Sequence, residues 1–147
     1  MSNDFWKGYL TATIIAMLSL IFVGNIAHCE DITSIITQEA RKQGLEPRVA
    51  LAIATIESSL NPNVVGPKGE IGLFQIRPQF TKVPITALFN PRINARVGIQ
   101  KLLETKDRCA LQENLTYVIC FNNGWRKPVY PYLHPYYKRF MLAWSSL

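Results

Sequence analysis

One glutamate sits where a charge is expensive. Val49, Ile53, Ile56 and Leu60 recur at i, i+4, i+7 and i+11, the spacing of one apolar helical stripe. Glu57 lies on that same stripe, with Ile53 and Ala54 one turn back. Apolar surroundings destabilise a charged carboxylate and raise its pKa. A glutamic acid still protonated near neutral pH is what general-acid chemistry requires. A plainer reading stands beside it, in which the side chain reaches water at the helix end or caps a neighbouring loop. A Gly- and Pro-rich stretch follows at once and closes on Gly72-Leu73-Phe74-Gln75-Ile76. Gln75 is an amide in an apolar run, so it must find a partner or contact a ligand.

Other chemistries lack their residues. No G-x-S-x-G elbow and no phosphate-binding glycine loop is present. Cys109 or Cys120 with His134 would make a formal thiol–imidazole pair, but neither cysteine carries a recognisable local signature. With His28 and His134 the only histidines and no C-x-x-C, a zinc site has too few ligands at workable spacing, and no metal or other cofactor is expected. The net charge of +6 is spread along the chain rather than gathered on a helix beside aromatics. That argues against nucleic acid and suits either a solvated surface or an acidic polymer of the cell envelope.

The elements that must hold Glu57 read as helices. Ile32, Ile35, Ile36 and Ala40 predict a first helix, with Asp31 to cap it and Gly44 to end it. Pro47 suits the first position of a second helix, running to about Ser59. Asn61-Pro62, Gly66-Pro67 and Lys68-Gly69 then break the chain into a loop. A third helix is predicted from Pro91 to about Lys106 and a fourth from Leu111 to Phe121, closed by Asn122-Asn123-Gly124. The last runs from Pro135 to Trp144, with Tyr136, Tyr137, Phe140 and Trp144 mainly on one side. Only Val64–Val65 and Ile71–Ile76 could be extended. The expectation is a mainly α domain over 30–147 with at most a very small β element.

Residues 1–27 read differently. Gly8 to Ala27 is uncharged and Lys7 precedes it. This pattern predicts a cleaved signal peptide, an uncleaved membrane anchor, or lipid attachment at Cys29. All three place the domain outside the cytoplasm, in the periplasm or cell envelope, where Cys109 and Cys120 could pair; two buried thiols are the alternative.

Four short motifs occur in order: Glu57-Ser58, Gly72-Leu73-Phe74-Gln75, Asn94-x-x-x-Gly98-x-x-Lys101-Leu102, and Phe121-Asn122-Asn123-Gly124. Together they resemble the soluble-lytic-transglycosylase, goose-lysozyme-like domain of peptidoglycan-cleaving enzymes, over roughly Asp31 to Trp144. The resemblance implies a lysozyme-like α fold. It also implies cleavage of the β-1,4 bond between N-acetylmuramic acid and N-acetylglucosamine, with closure of a 1,6-anhydro ring. Glu57 matches the single acid and base. Ser58, Phe74, Gln75 and Asn122 match residues beside the acid or along the sugar, and Tyr136 matches a tyrosine whose hydroxyl points at the acid. Gly72 and Gly124 read as backbone requirements. Small relatives of this kind serve secretion or conjugation machinery, or phage.

After Glu57 the acids are Glu70, Glu104, Asp107 and Glu113, and only Glu70 stands near the motifs. A one-glutamate reaction suits this chain better than the two-carboxylate scheme of ordinary glycosidases. The alternatives are a hydrolytic muramidase using Glu70 as base, and a weakly catalytic wall-binding or scaffold protein on the same fold. The chain departs from the family pattern at Gly66, Glu70, Phe74, Lys101, Cys120 and Phe121.

Overall fold

The computed structural model describes residues 30–109, 115–123 and 130–147. The predicted address segment 1–27, Cys29 and Gly124 lie outside the described residues, as does Leu111, the expected start of the fourth helix. Among the described residues no helix is long and apolar enough to cross a membrane.

Among the described residues five α-helices carry the domain: α1 Ile32–Lys42, α2 Pro47–Ser58, α3 Pro91–Arg108, α4 Val118–Asn123 and α5 Pro135–Ser145. Prolines open α2, α3 and α5 at N1, where the missing N–H costs nothing. Gly44, at φ +74°, follows the end of α1. Asp31 occupies the N-cap of α1, but its carboxylate takes the Thr33 hydroxyl and no backbone N–H. Asn90 caps α3 properly, accepting from Arg92 N at 3.0 Å and Ile93 N at 3.1 Å.

The fourth helix departs most from the sequence reading. It begins at Val118 because Leu115, at φ +64°, cannot continue a right-handed helix. Among the described residues, short 3₁₀ turns at Pro78–Phe80, Ile85–Phe89 and Pro131–Leu133 also appear where the sequence showed no period. They are too short to leave one.

α2 packs against both α1 and α5, α1 also packs on α3, and α4 joins α3 to α5. The centre of this core is dry: Ile36, Ile53, Leu88, Ile99, Leu102, Ile119 and Phe140 are fully buried. One charge enters it. Glu39 of α1 is buried and accepts from Arg92 Nη1 of α3 at 2.8 Å and Lys42 Nζ at 2.9 Å. Burial works against that carboxylate, but the bonds and charges of Lys42 and Arg92 prevail and hold its pKa below the ordinary value. A disulfide joins Cys109, at the end of α3, to Cys120 of α4, with Cα atoms 6.3 Å apart.

The extended part is minimal. Val65–Ile71 and Ile71–Ile76 form two isolated antiparallel bridges. They fold the stretch after α2 into a compact loop that returns to the helix end.

Candidate active site

Glu57 stands in the last turn of α2. The helix stops just after it, because Ser59 and Leu60 are left-handed at φ 53° and 62°. This places the carboxylate at the mouth of the core, in a cleft of about 820 Å³. Glu57 is partly buried there.

Its direct partner comes from the other end of the chain. Tyr136 Oη donates to Glu57 Oε1 at 2.8 Å. Tyr136 is placed by the start of α5, where His134 Nδ1 accepts from the Tyr136 backbone N–H at 3.2 Å. The ring is buried, and Arg139, one turn on, lies with its guanidinium carbon 5.6 Å from the ring centroid. Burial raises the Glu57 pKa above the ordinary carboxylate value. The Tyr136 bond and the Arg139 charge oppose that rise without cancelling it, and Glu70 adds to it. The phenol of Tyr136 is itself held well above its usual value, by burial first and then by Glu57, so it remains a donor.

The loop after α2 supplies one wall. Asn94 of α3, completely buried, pins it. Its Oδ1 accepts from Phe74 N at 2.9 Å, and its Nδ2 donates to the carbonyls of Ile71 and Leu88, each at 2.8 Å. Gly72 must be glycine twice over. Its φ is +74°, and a Cβ would lie 2.4 Å from Asn94 Nδ2 and 2.9 Å from Leu88 O.

Gln75 lines the cleft at φ 46°. Its amide nitrogen donates to Gly72 O at 2.9 Å and Val64 O at 3.3 Å. Its Oε1 faces Gly66, where a Cβ would sit 2.5 Å from that oxygen and 2.7 Å from Glu70 Oε2. Two departures from the family pattern are therefore one feature: the Glu70 carboxylate fills the space a side chain at 66 would need. Glu70 accepts from Lys68 N at 2.8 Å. Burial pushes its pKa up, but backbone N–H groups of Glu70 and Lys68, with the Arg77 and Lys68 charges, hold it below the usual range. The cleft thus pairs a carboxyl whose pKa is raised with one whose pKa is lowered.

Not every sequence candidate reaches the cleft. Ser58 is buried, and its hydroxyl lies 3.0 Å from Leu73 O and 3.1 Å from Ala54 O, tying α2 to the loop. With its one proton committed to these carbonyls, Ser58 is a brace rather than a sugar contact. Phe74 forms part of the wall but is 1% exposed, its ring pressed on α3 where a Cβ at Gly98 would lie 2.3 Å away. It shapes the cleft from behind. Asn122, exposed on α4, lines the cleft beside Phe121 and Cys120.

Four contributors escaped the sequence reading. Asn94 was visible only as a motif letter, although a buried asparagine three residues into a capped helix signals a backbone tie. Arg139 is one turn from Tyr136, a relation with meaning only once Tyr136 is seen to touch Glu57. Phe80 ends a 3₁₀ turn without periodicity, and Arg77 stands at the N-cap of that turn.

No curated protein matches the chain. A family model described as "Transglycosylase SLT domain" matches residues 34–128, which include Glu57, Gln75, Asn94 and Asn122. The match covers more than half of the chain and takes in α2, the loop after it, α3 and α4, while α5, which carries Tyr136 and Arg139, lies beyond it. The chain belongs to the transglycosylase SLT domain family, whose members are glycosidase-like enzymes acting on peptidoglycan.

Proposed function

We propose that this protein is a lytic transglycosylase that cuts the β-1,4 bond between N-acetylmuramic acid and N-acetylglucosamine without water. The observation that carries the reading is Glu57: a carboxyl with raised pKa, inside a cleft, held by the Tyr136 hydroxyl at 2.8 Å. In the first step the Glu57 proton passes to the glycosidic oxygen as the bond from that oxygen to the muramoyl C1 breaks. Positive charge develops at C1. In the second step the muramoyl O6 attacks C1, and its hydroxyl proton goes to the Glu57 carboxylate. The 1,6-anhydro ring closes and Glu57 ends as it began. Gln75 and Asn122 are the sugar contacts, and Arg139 tempers the charge that Glu57 carries between the steps.

Glu57→Gln keeps the shape and an acceptor for Tyr136 but cannot supply the proton. Loss of turnover of roughly a thousandfold or more is expected, with an unchanged circular-dichroism spectrum. Mass spectrometry of digested walls should show anhydro-muropeptides, one water lighter than hydrolytic products. Retained activity in the variant would sink the role of Glu57. Reducing-end products would favour the second reading, a muramidase in which Glu70 activates water, for which the one support is the ionised Glu70 in the same cleft.

The uncharged segment 8–27 supports an exported location, in the periplasm or envelope, with the segment cleaved, lipidated at Cys29 or kept as an anchor. Chemical analysis of the mature N-terminus distinguishes these. A service role for secretion, conjugation or phage machinery fits the same reading.

A further inference from the structure

The cleft contains a group of side chains that the proposed proton chemistry does not use. Phe80 lines it with 62% of its surface open. Two cations flank the ring. The Arg77 guanidinium carbon lies 5.0 Å from its centroid and Lys101 Nζ lies 5.9 Å away. Lys101 Nζ also donates to Phe80 O at 2.9 Å, which fixes the ammonium against the turn. Arg77 and Lys101 line the same cleft as Glu57.

The surrounding charges leave room for an anion. Arg77 shares its charge with Glu70 and stands beside the Gln79 amide. Lys101 has Glu104, one turn on, as its counter-charge, and the Glu104 carboxylate also takes the Gln100 amide at 3.0 Å. Burial nevertheless lowers the Lys101 pKa, against the pull of Glu104. An exposed aromatic ring with two cations beside it suits a ligand with both carbon–hydrogen surface and carboxylates. Peptidoglycan offers one, because its muramoyl residues carry peptide stems that end in carboxylates.

We propose that Phe80, Arg77 and Lys101 form a subsite for the peptide stem of a glycan strand, its carboxylates on the two cations and its aliphatic part on the ring. The inference rests on the proposed function and narrows it: the substrate is stem-bearing peptidoglycan rather than glycan stripped of peptide.

The test is binding without turnover. The full chain carrying Glu57→Gln is titrated with uncrosslinked, stem-bearing glycan oligomers and with the same oligomers after an amidase has removed the stems. Two charge-assisted contacts predict about tenfold or more tighter binding of the stem-bearing form. That preference should collapse towards parity at about 1 M salt, where the Debye length is ~3 Å. Adding Arg77→Met or Lys101→Met should also collapse it. Lys101→Met also removes the bond to Phe80 O, whereas Arg77→Met leaves it, so loss in both follows charge rather than loop position. Equal binding of the two oligomers, or a preference that survives both variants, would overturn the subsite. Failure of the proposed function appears elsewhere, as wild-type protein that releases no anhydro product from either oligomer.

Discussion

At the scale of single residues, the proposed chemistry rests on Glu57 and Tyr136. The hydroxyl of Tyr136 lowers the Glu57 pKa, while burial raises it and prevails. If the acid form is the active one, activity is present below the folded-state pKa of Glu57 and is lost as pH rises through it. Removing the hydroxyl removes a stabiliser of the charged form, so Tyr136→Phe should move the alkaline limb of kcat/KM to higher pH. The rate at the optimum should fall about ten- to a hundredfold, since a hydrogen bond to a charged group contributes about 1.5–3 kcal/mol and 1.36 kcal/mol is a factor of ten. A pH–rate profile on solubilised wall fragments reads both effects. A limb that stays in place would mean the phenol does not act on the acid. The sequence made the costly position of Glu57 visible, because a charge on an apolar stripe breaks its own period. It could not show by itself that a tyrosine 79 residues away completes the pair, because that contact exists only after packing.

Individual elements determine whether the cleft has walls. The loop after α2 has little structure of its own, two isolated bridges, and relies on one side chain of α3. Asn94→Ala would strand the Phe74 N–H and the Leu88 carbonyl in a buried setting, and would leave the Ile71 carbonyl with Ile76 N alone, at 3.0 Å. Each buried unpaired group costs about 1–3 kcal/mol, so a loss of about 3 kcal/mol is expected in chemical denaturation, and activity should suffer beyond the stability loss. Asn94→Asp is the useful control, since it keeps the acceptor for Phe74 N but not the two donations. Helices α2, α3 and α5 were legible because proline opens each one and an apolar stripe runs through it. The fourth was mislaid because its periodicity continues across Leu115, whose left-handed backbone is imposed by context that no local pattern records. Ser58 misled for a similar reason. A serine beside an acid resembles a site residue, and only the position of Leu73 O shows that it serves the fold.

Across the whole molecule, the Cys109–Cys120 bridge ties the end of α3 to α4 at the cleft wall. For a sequence separation of 11, the chain-entropy estimate gives about 3 kcal/mol of stabilisation. Denaturation with and without a thiol reductant measures it, and Cys120→Ala should behave as the reduced protein does. The effect should reach activity too, because Cys120 itself lines the cleft beside Asn122. The fold class was legible in the sequence as a whole, since helical periods dominate and only 64–76 resisted them. The division of labour inside the cleft was not, because it depends on which loop atoms fill the space over Gly66 and on how the 3₁₀ turn aims Phe80.

The acid and its tyrosine belong to helices that a ribosome makes far apart in time. α2 is complete long before Pro135–Ser145 has been translated, yet the core gains its second face for α2 only when α5 docks. Until then Glu57 has neither its phenolic partner nor the burial that α5 supplies. A partly synthesised chain therefore carries the glutamate without the assembled acid. On the proposed function, the protein is thereby unarmed while its chain is still emerging.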